Sequence, residues 1–202
     1  MARNTISRSL HDVGLSAWFG GTLANAVALN PASAEAGSAS RTGAVANAGW
    51  DRWTPVNAAA IGAHLVGSVG QLLGNRRRVA AQQGAGGTAL LKTALTAAAL
   101  GVTAYSRALG QIVSQGGAVP SKKATKPSRR ARGEIAEAQR KLDSLQWVVP
   151  ALTGALVVVS SYAGEQQRAS EVLRGTAEKG LDGSAAAGGT AVPASGAVGP
   201  VA

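Results

Sequence analysis

Apolar residues gather into four runs, at residues 13–29, 55–73, 89–105 and 147–162, with polar and small residues between them. Each run matches or approaches the roughly 17–20 residues that an α-helix, rising 1.5 Å per residue, needs to cross a hydrocarbon core about 30 Å thick. The runs are apolar nearly all round, whereas surface helices of a water-soluble bundle keep a polar face. A soluble bundle of Ala-rich helices is the competing reading. With one Phe, two Tyr and one Met, it has little from which to build a water-excluding core. The pattern therefore predicts an all-α fold, a four-helix transmembrane bundle.

The intervening stretches fill in the rest. Asn30-Pro31 ends the first run, and residues 31–54 read as a loop whose Trp50 and Trp53 mark a membrane interface before Pro55 opens the second helix. Arg76, Arg77 and Arg78 close that run, and a Gln/Gly-rich connector leads to the third. Residues 107–146 form the longest and most basic loop, with Lys122, Lys123, Lys126, Arg129, Arg130 and Arg132 around Pro120 and Pro127. Within it, Ile135, Ala138, Leu142 and Leu145 fall on one helical face, and Glu137 stands four residues before Lys141. Residues 134–146 thus predict an amphipathic helix lying on the membrane and entering the fourth span through Trp147 and Pro150. A polar helical extension follows at 165–179. The whole reads as one membrane domain, residues 1–180, with a disordered tail, residues 181–202.

Charge changes the picture modestly. The chain of 202 residues carries 20 Lys and Arg against 10 Asp and Glu, a net charge of +10. Few aromatics accompany the basic residues and no nucleic-acid motif appears, so lipid headgroups are the expected partner, contacted by Arg76, Arg77, Arg78, Lys122, Lys123, Arg129 and Arg130. The absence of cysteine excludes disulfides, thiolate metal sites and cysteine catalysis. The triple Arg beside the second span points to termini inside, on the cytoplasmic face of a bacterial plasma membrane. A second reading of the N-terminus stays open. Arg3 and Arg8, the first apolar run and Ala32-Ser33-Ala34 also imitate a cleavable signal peptide, which would leave three spans.

Polar residues inside the runs are the candidates for function. Asn57, His64, Ser68, Gln71 and Asn75 form a narrow stripe on the second span, beside a small-residue row of Ala59, Ala63 and Gly67. His11, Trp18 and Asn25 recur every seven residues on the first span, with Gly14, Gly21 and Thr22 adjacent. Lys92, Thr96, Thr103 and Ser106 share a face of the third span, and Thr153, Gly154 and Ser160 or Ser161 mark the fourth. Such faces either bond helix to helix, at about 0.6 kcal/mol each, or line a cavity. His64, midway along its span, is a candidate ligand for haem or a transition metal, with His11 as the second histidine. Placed by the spans, the two lie about 12–15 Å apart in depth, too far for one ion.

The segments around His11–Gly21 (HDVGLSAWFGG), Gly49–Asn57 (GWDRWTPVN), Ile61–Leu65 (IGAHL) and Gly164–Arg168 (GEQQR) resemble a family of small, uncharacterised actinobacterial four-span membrane proteins, which implies location but no activity. His11, Trp18, Gly20 and Gly21 are also similar to the opening helix of copper-resistance D domains and four-span protoporphyrinogen oxidases. That resemblance implies metal or haem binding by a histidine on this helix.

No Ser-His-Asp arrangement, phosphate loop or His-Glu-x-x-His helix is present, so nothing positive supports an enzyme. The leading expectation is an integral membrane protein serving as a structural or accessory subunit alongside other membrane-protein subunits, without a resident cofactor. The alternatives are a haem- or metal-binding redox bundle built on His64 and a small transporter or channel.

Overall fold

The computed structural model describes residues 4–115, 121–127 and 133–188. They form an all-helical fold with five helices: α1 (Thr5–Ala24), α2 (Ala39–Ala81), α3 (Ala85–Gln115), α4 (Gly133–Glu165) and α5 (Ala169–Gly188). A two-stranded antiparallel ribbon, β1 (Ser121–Lys123) with β2 (Lys126–Pro127), lies between α3 and α4. Three helices, α2, α3 and α4, are long and apolar enough to cross a membrane. Helix α1, which exposes Arg8 and Asp12, is not in that set.

Two expected boundaries are absent. Residues 39–54 are helical, so Pro55 lies inside the 43-residue α2 instead of opening it. Ser38 caps that helix, its Oγ accepting from the Arg41 amide at 3.4 Å. Likewise, residues 134–146 do not form a separate helix. They are the first turns of α4, coaxial with the predicted fourth span and with Pro150 inside. The apolar face read for an interface packs on a neighbour, where Ala138, Ile135, Leu142 and Leu145 meet Leu109, Ile112 and Val113 of α3. Helix–helix burial thus takes the surface that lipid was expected to cover.

The Asn30-Pro31 breaker also bends the chain less than expected. Helical backbone continues from α1 through a π-helical turn, Asn25–Leu29, and short turns at Asn30–Ala32 and Ser33–Glu35. The π turn precedes a residue that cannot donate an amide hydrogen, a common site for such a distortion. Gly37, at φ +80°, then reverses the chain.

Helices α1 and α2 pack along their length as an antiparallel hairpin, α3 and α4 form a second, and α1 against α4 joins the two. Trp18, Ala60, Ala99 and Val149, one residue from each of the four, form the shared core. Contact between α2 and α3 is sparse. Past Tyr162, α5 folds back on the α2–α3 turn, where Gln83 N donates to Gly175 O at 3.0 Å and Gln82 Nε2 to Gln166 O at 3.1 Å. It runs to Gly188, beyond the start of the expected disordered tail. Residues 189–202 lie outside the described residues.

Candidate functional site

The tightest helix crossing is made by glycine. A Cβ on Gly14 would stand 2.5 Å from the carbonyl of Ala60 and 2.5 Å from the amide of His64. One on Gly67 would collide with the amide of His11 and stand 2.5 Å from the carbonyl of Ser7. The relation is reciprocal: the backbone of each histidine rests on the glycine that follows the other histidine by one turn. Such close approach is what small residues permit between helices that pack in an apolar solvent.

This register brings the two histidines together. Their ring centroids are 4.6 Å apart at an interplanar angle of 49°, and His11 and His64 are 1% and 0% exposed. The expected depth difference of about 12–15 Å is therefore wrong. It assumed that the apolar runs align end to end, whereas the glycine contacts slide α1 so that His11 stands level with His64. Trp18, fully buried, closes the site with its ring 6.0 Å from that of His64.

Each ring has one anchored and one unpartnered nitrogen. His11 Nδ1 donates to Asp12 Oδ1 at 2.7 Å, and because a carboxylate only accepts, the proton is on Nδ1. Its Nε2 is buried without a hydrogen-bond partner. His64 Nε2 lies 3.4 Å from Thr96 Oγ1 on α3, and its Nδ1 is buried without a partner. A carboxylate on one imidazole nitrogen and a lone pair on the other is the arrangement that orients metal-ligating histidines. Among the described residues no group of three His, Cys, Asp or Glu occurs that would complete a metal cage. The pair thus offers at most two protein nitrogens.

The polar stripe of α2 is only partly a helix-bonding face. His64 turns to α1 and α3. Asn57 lines a cavity of about 350 Å³, while Ser68, Gln71 and Asn75 line another of about 400 Å³, both in the gap between α2 and α3. The polar side of α3 fits the same gap, with Thr103 and Ser106 on the first cavity and Lys92 and Thr96 on the second. On α1 the expected face is buried, with His11, Gly14, Trp18 and Thr22 inside, and Asn25 is buried in the π-helical turn that follows. Of the expected small row, Gly67 makes the close contact as placed, whereas Ala59 is exposed and buried Ala60 stands against α1 in its place.

Sequence reading missed three features. The tetrapeptides His11-Asp12-Val13-Gly14 and His64-Leu65-Val66-Gly67 share a His-x-Val-Gly pattern that marks the reciprocal docking. Asp12, adjacent in sequence, is the partner of His11. Asn30 bridges three elements, accepting from Trp50 Nε1 at 3.2 Å and donating to Gln146 Oε1 at 2.9 Å. Of the residues expected at lipid headgroups, Arg76 and Arg77 are exposed and Arg78 is half-buried. Lys122 and Lys123 lie in β1, with side chains outside the described set, and Arg129 and Arg130 lie outside the described residues.

Comparison with known proteins found no matching family model, no matching curated protein and no matching solved structure.

Proposed function

We propose that this chain is a four-span protein of the bacterial plasma membrane whose function rests on a transition-metal ion held by His11 and His64. It serves a larger membrane assembly as an accessory, non-catalytic component. The observation that carries this reading is the contact between two buried imidazoles, each with an unpartnered nitrogen, one of them oriented by a carboxylate. Neutral imidazole suits zinc, copper, iron or nickel, and two ligands leave positions for a partner subunit or a transferred ligand. Haem between the rings fits poorly. With metal–nitrogen bonds of about 2 Å, imidazoles on opposite faces of a macrocycle stand roughly 6 Å apart or more, and the glycine crossing leaves no slot for a ring. The bound ion would serve as a structural or electron-carrying centre, while Asp12 fixes the His11 tautomer and Trp18 excludes water.

Protein extracted from native membranes in mild detergent tests this directly. The expected result is a stoichiometric transition metal by elemental analysis, lost in both His11→Ala and His64→Ala. Metal at background level in the parent chain, or unchanged in the double variant, would overturn the reading.

A second reading, transport, has its own support. The two cavities lie in one gap and share the wall residue Leu100. It requires His64→Leu to abolish flux into proteoliposomes while leaving the fold intact.

A further inference from the structure

The cavity beside the α2–α3 turn is lined by two cationic groups and an amide donor. Lys92 lines it half-buried, with no hydrogen bond or ion pair among the described residues. Arg78 lines it from the opposite helix. One of its terminal nitrogens donates to Gln82 Oε1 at 3.0 Å, but its Nε is buried without a partner. Gln71 Nε2, on the same wall, is also buried without a partner. No carboxylate side chain lines the cavity among the described residues.

Arg78 lines the cavity from α2 and Lys92 from α3, beside the first turn of α3, which carries the positive end of that helix's dipole. Above the cations the walls become aliphatic, formed by Leu65, Val69 and Leu72, and the latter two are also open on the outer surface at 58% and 50%. A cationic base beneath an aliphatic, laterally open wall has the polarity of an anionic amphiphile.

We propose that this cavity binds the phosphate of an anionic phospholipid, with Lys92 and Arg78 as its counter-ions, Gln71 as a neutral donor and an acyl chain along Leu65, Val69 and Leu72. The proposal rests on the membrane reading and not on a bound metal, although Lys92 also lies within electrostatic reach of Asp12 and the two histidines. It also separates Arg78 from Arg76 and Arg77, which are exposed and offer only general attraction to headgroups.

The test uses the full chain in a neutral detergent, with phosphatidylglycerol, phosphatidylcholine and inorganic phosphate as probes, read by native mass spectrometry and titration calorimetry. One phosphatidylglycerol should bind per chain, with phosphatidylcholine at least tenfold weaker and no competition from millimolar phosphate. Lys92→Gln and Arg78→Gln should each weaken binding about tenfold, Lys92→Arg should retain it, and Arg76→Gln should leave it unchanged. Circular dichroism of each variant separates lost binding from lost fold. Equal binding of inorganic phosphate, or unchanged lipid binding in both glutamine variants, would overturn the proposal. A chain that stays monodisperse without detergent would instead overturn the membrane reading.

Discussion

At the scale of single residues, the centre of the molecule depends on two glycines. Gly67 has no room for a β-carbon, because the backbone of α1 occupies that space. Gly67→Val should therefore destabilise the protein by about 1–3 kcal/mol or more, as overpacking of a rigid contact does. Thermal unfolding in detergent reads this. Gly62→Val, where nothing lies within 4 Å, serves as the control and should shift little. The histidines themselves were legible as candidates because ionisable residues within apolar runs are costly without a purpose. Their contact was not, since run boundaries are a poor gauge of register. The reciprocal glycine fit sets register, and it depends on an interhelical distance that periodicity does not encode.

At the scale of elements, helix existence was legible and helix ends were not. Prolines 31, 55 and 150 were all read as boundaries, yet Pro55 and Pro150 lie within α2 and α4. A proline removes one hydrogen bond, and packing along a long neighbouring helix offsets that loss. The expected Glu137–Lys141 pair is present at 2.7 Å on an exposed turn of α4. The hydrogen bond from Lys141 and then its charge hold the Glu137 carboxyl below its ordinary value, and the same contact raises Lys141. The sign follows from linkage. The carboxylate's contribution is present above its unfolded pKa and lost as pH falls through the lowered value, whereas the lysine's is present at lower pH and lost as pH rises through the raised value. A carboxyl-detected NMR titration should find Glu137 titrating at lower pH than a free glutamate, and Lys141→Ala should return it to the ordinary range. An unshifted Glu137 in the parent chain would contradict the pairing.

At the scale of the molecule, two tight hairpins share a core but part along α2 and α3, where the polar faces of both helices look into cavities. The sequence shows those faces and leaves two readings open, bonding between helices and lining a cavity. The same residues can line a space, and only the spacing of the helices decides between the two. The crossing number is testable at this scale. If α1 spans with the others, reporters fused before Thr5 and within α5 should lie on one side of the membrane, and one inserted at Gly37 on the other. A fusion before Thr5 that reports opposite to α5 would leave three crossings. The division into hairpins also bears on how the protein is made. His11, His64 and both glycines belong to the first hairpin, which leaves the ribosome ahead of α3. The ligand centre can therefore form early, with Thr96 arriving afterwards to close it. On this order of events, the second hairpin completes the site as a late-added cover, and a nascent chain ending near Ala81 already holds both imidazoles.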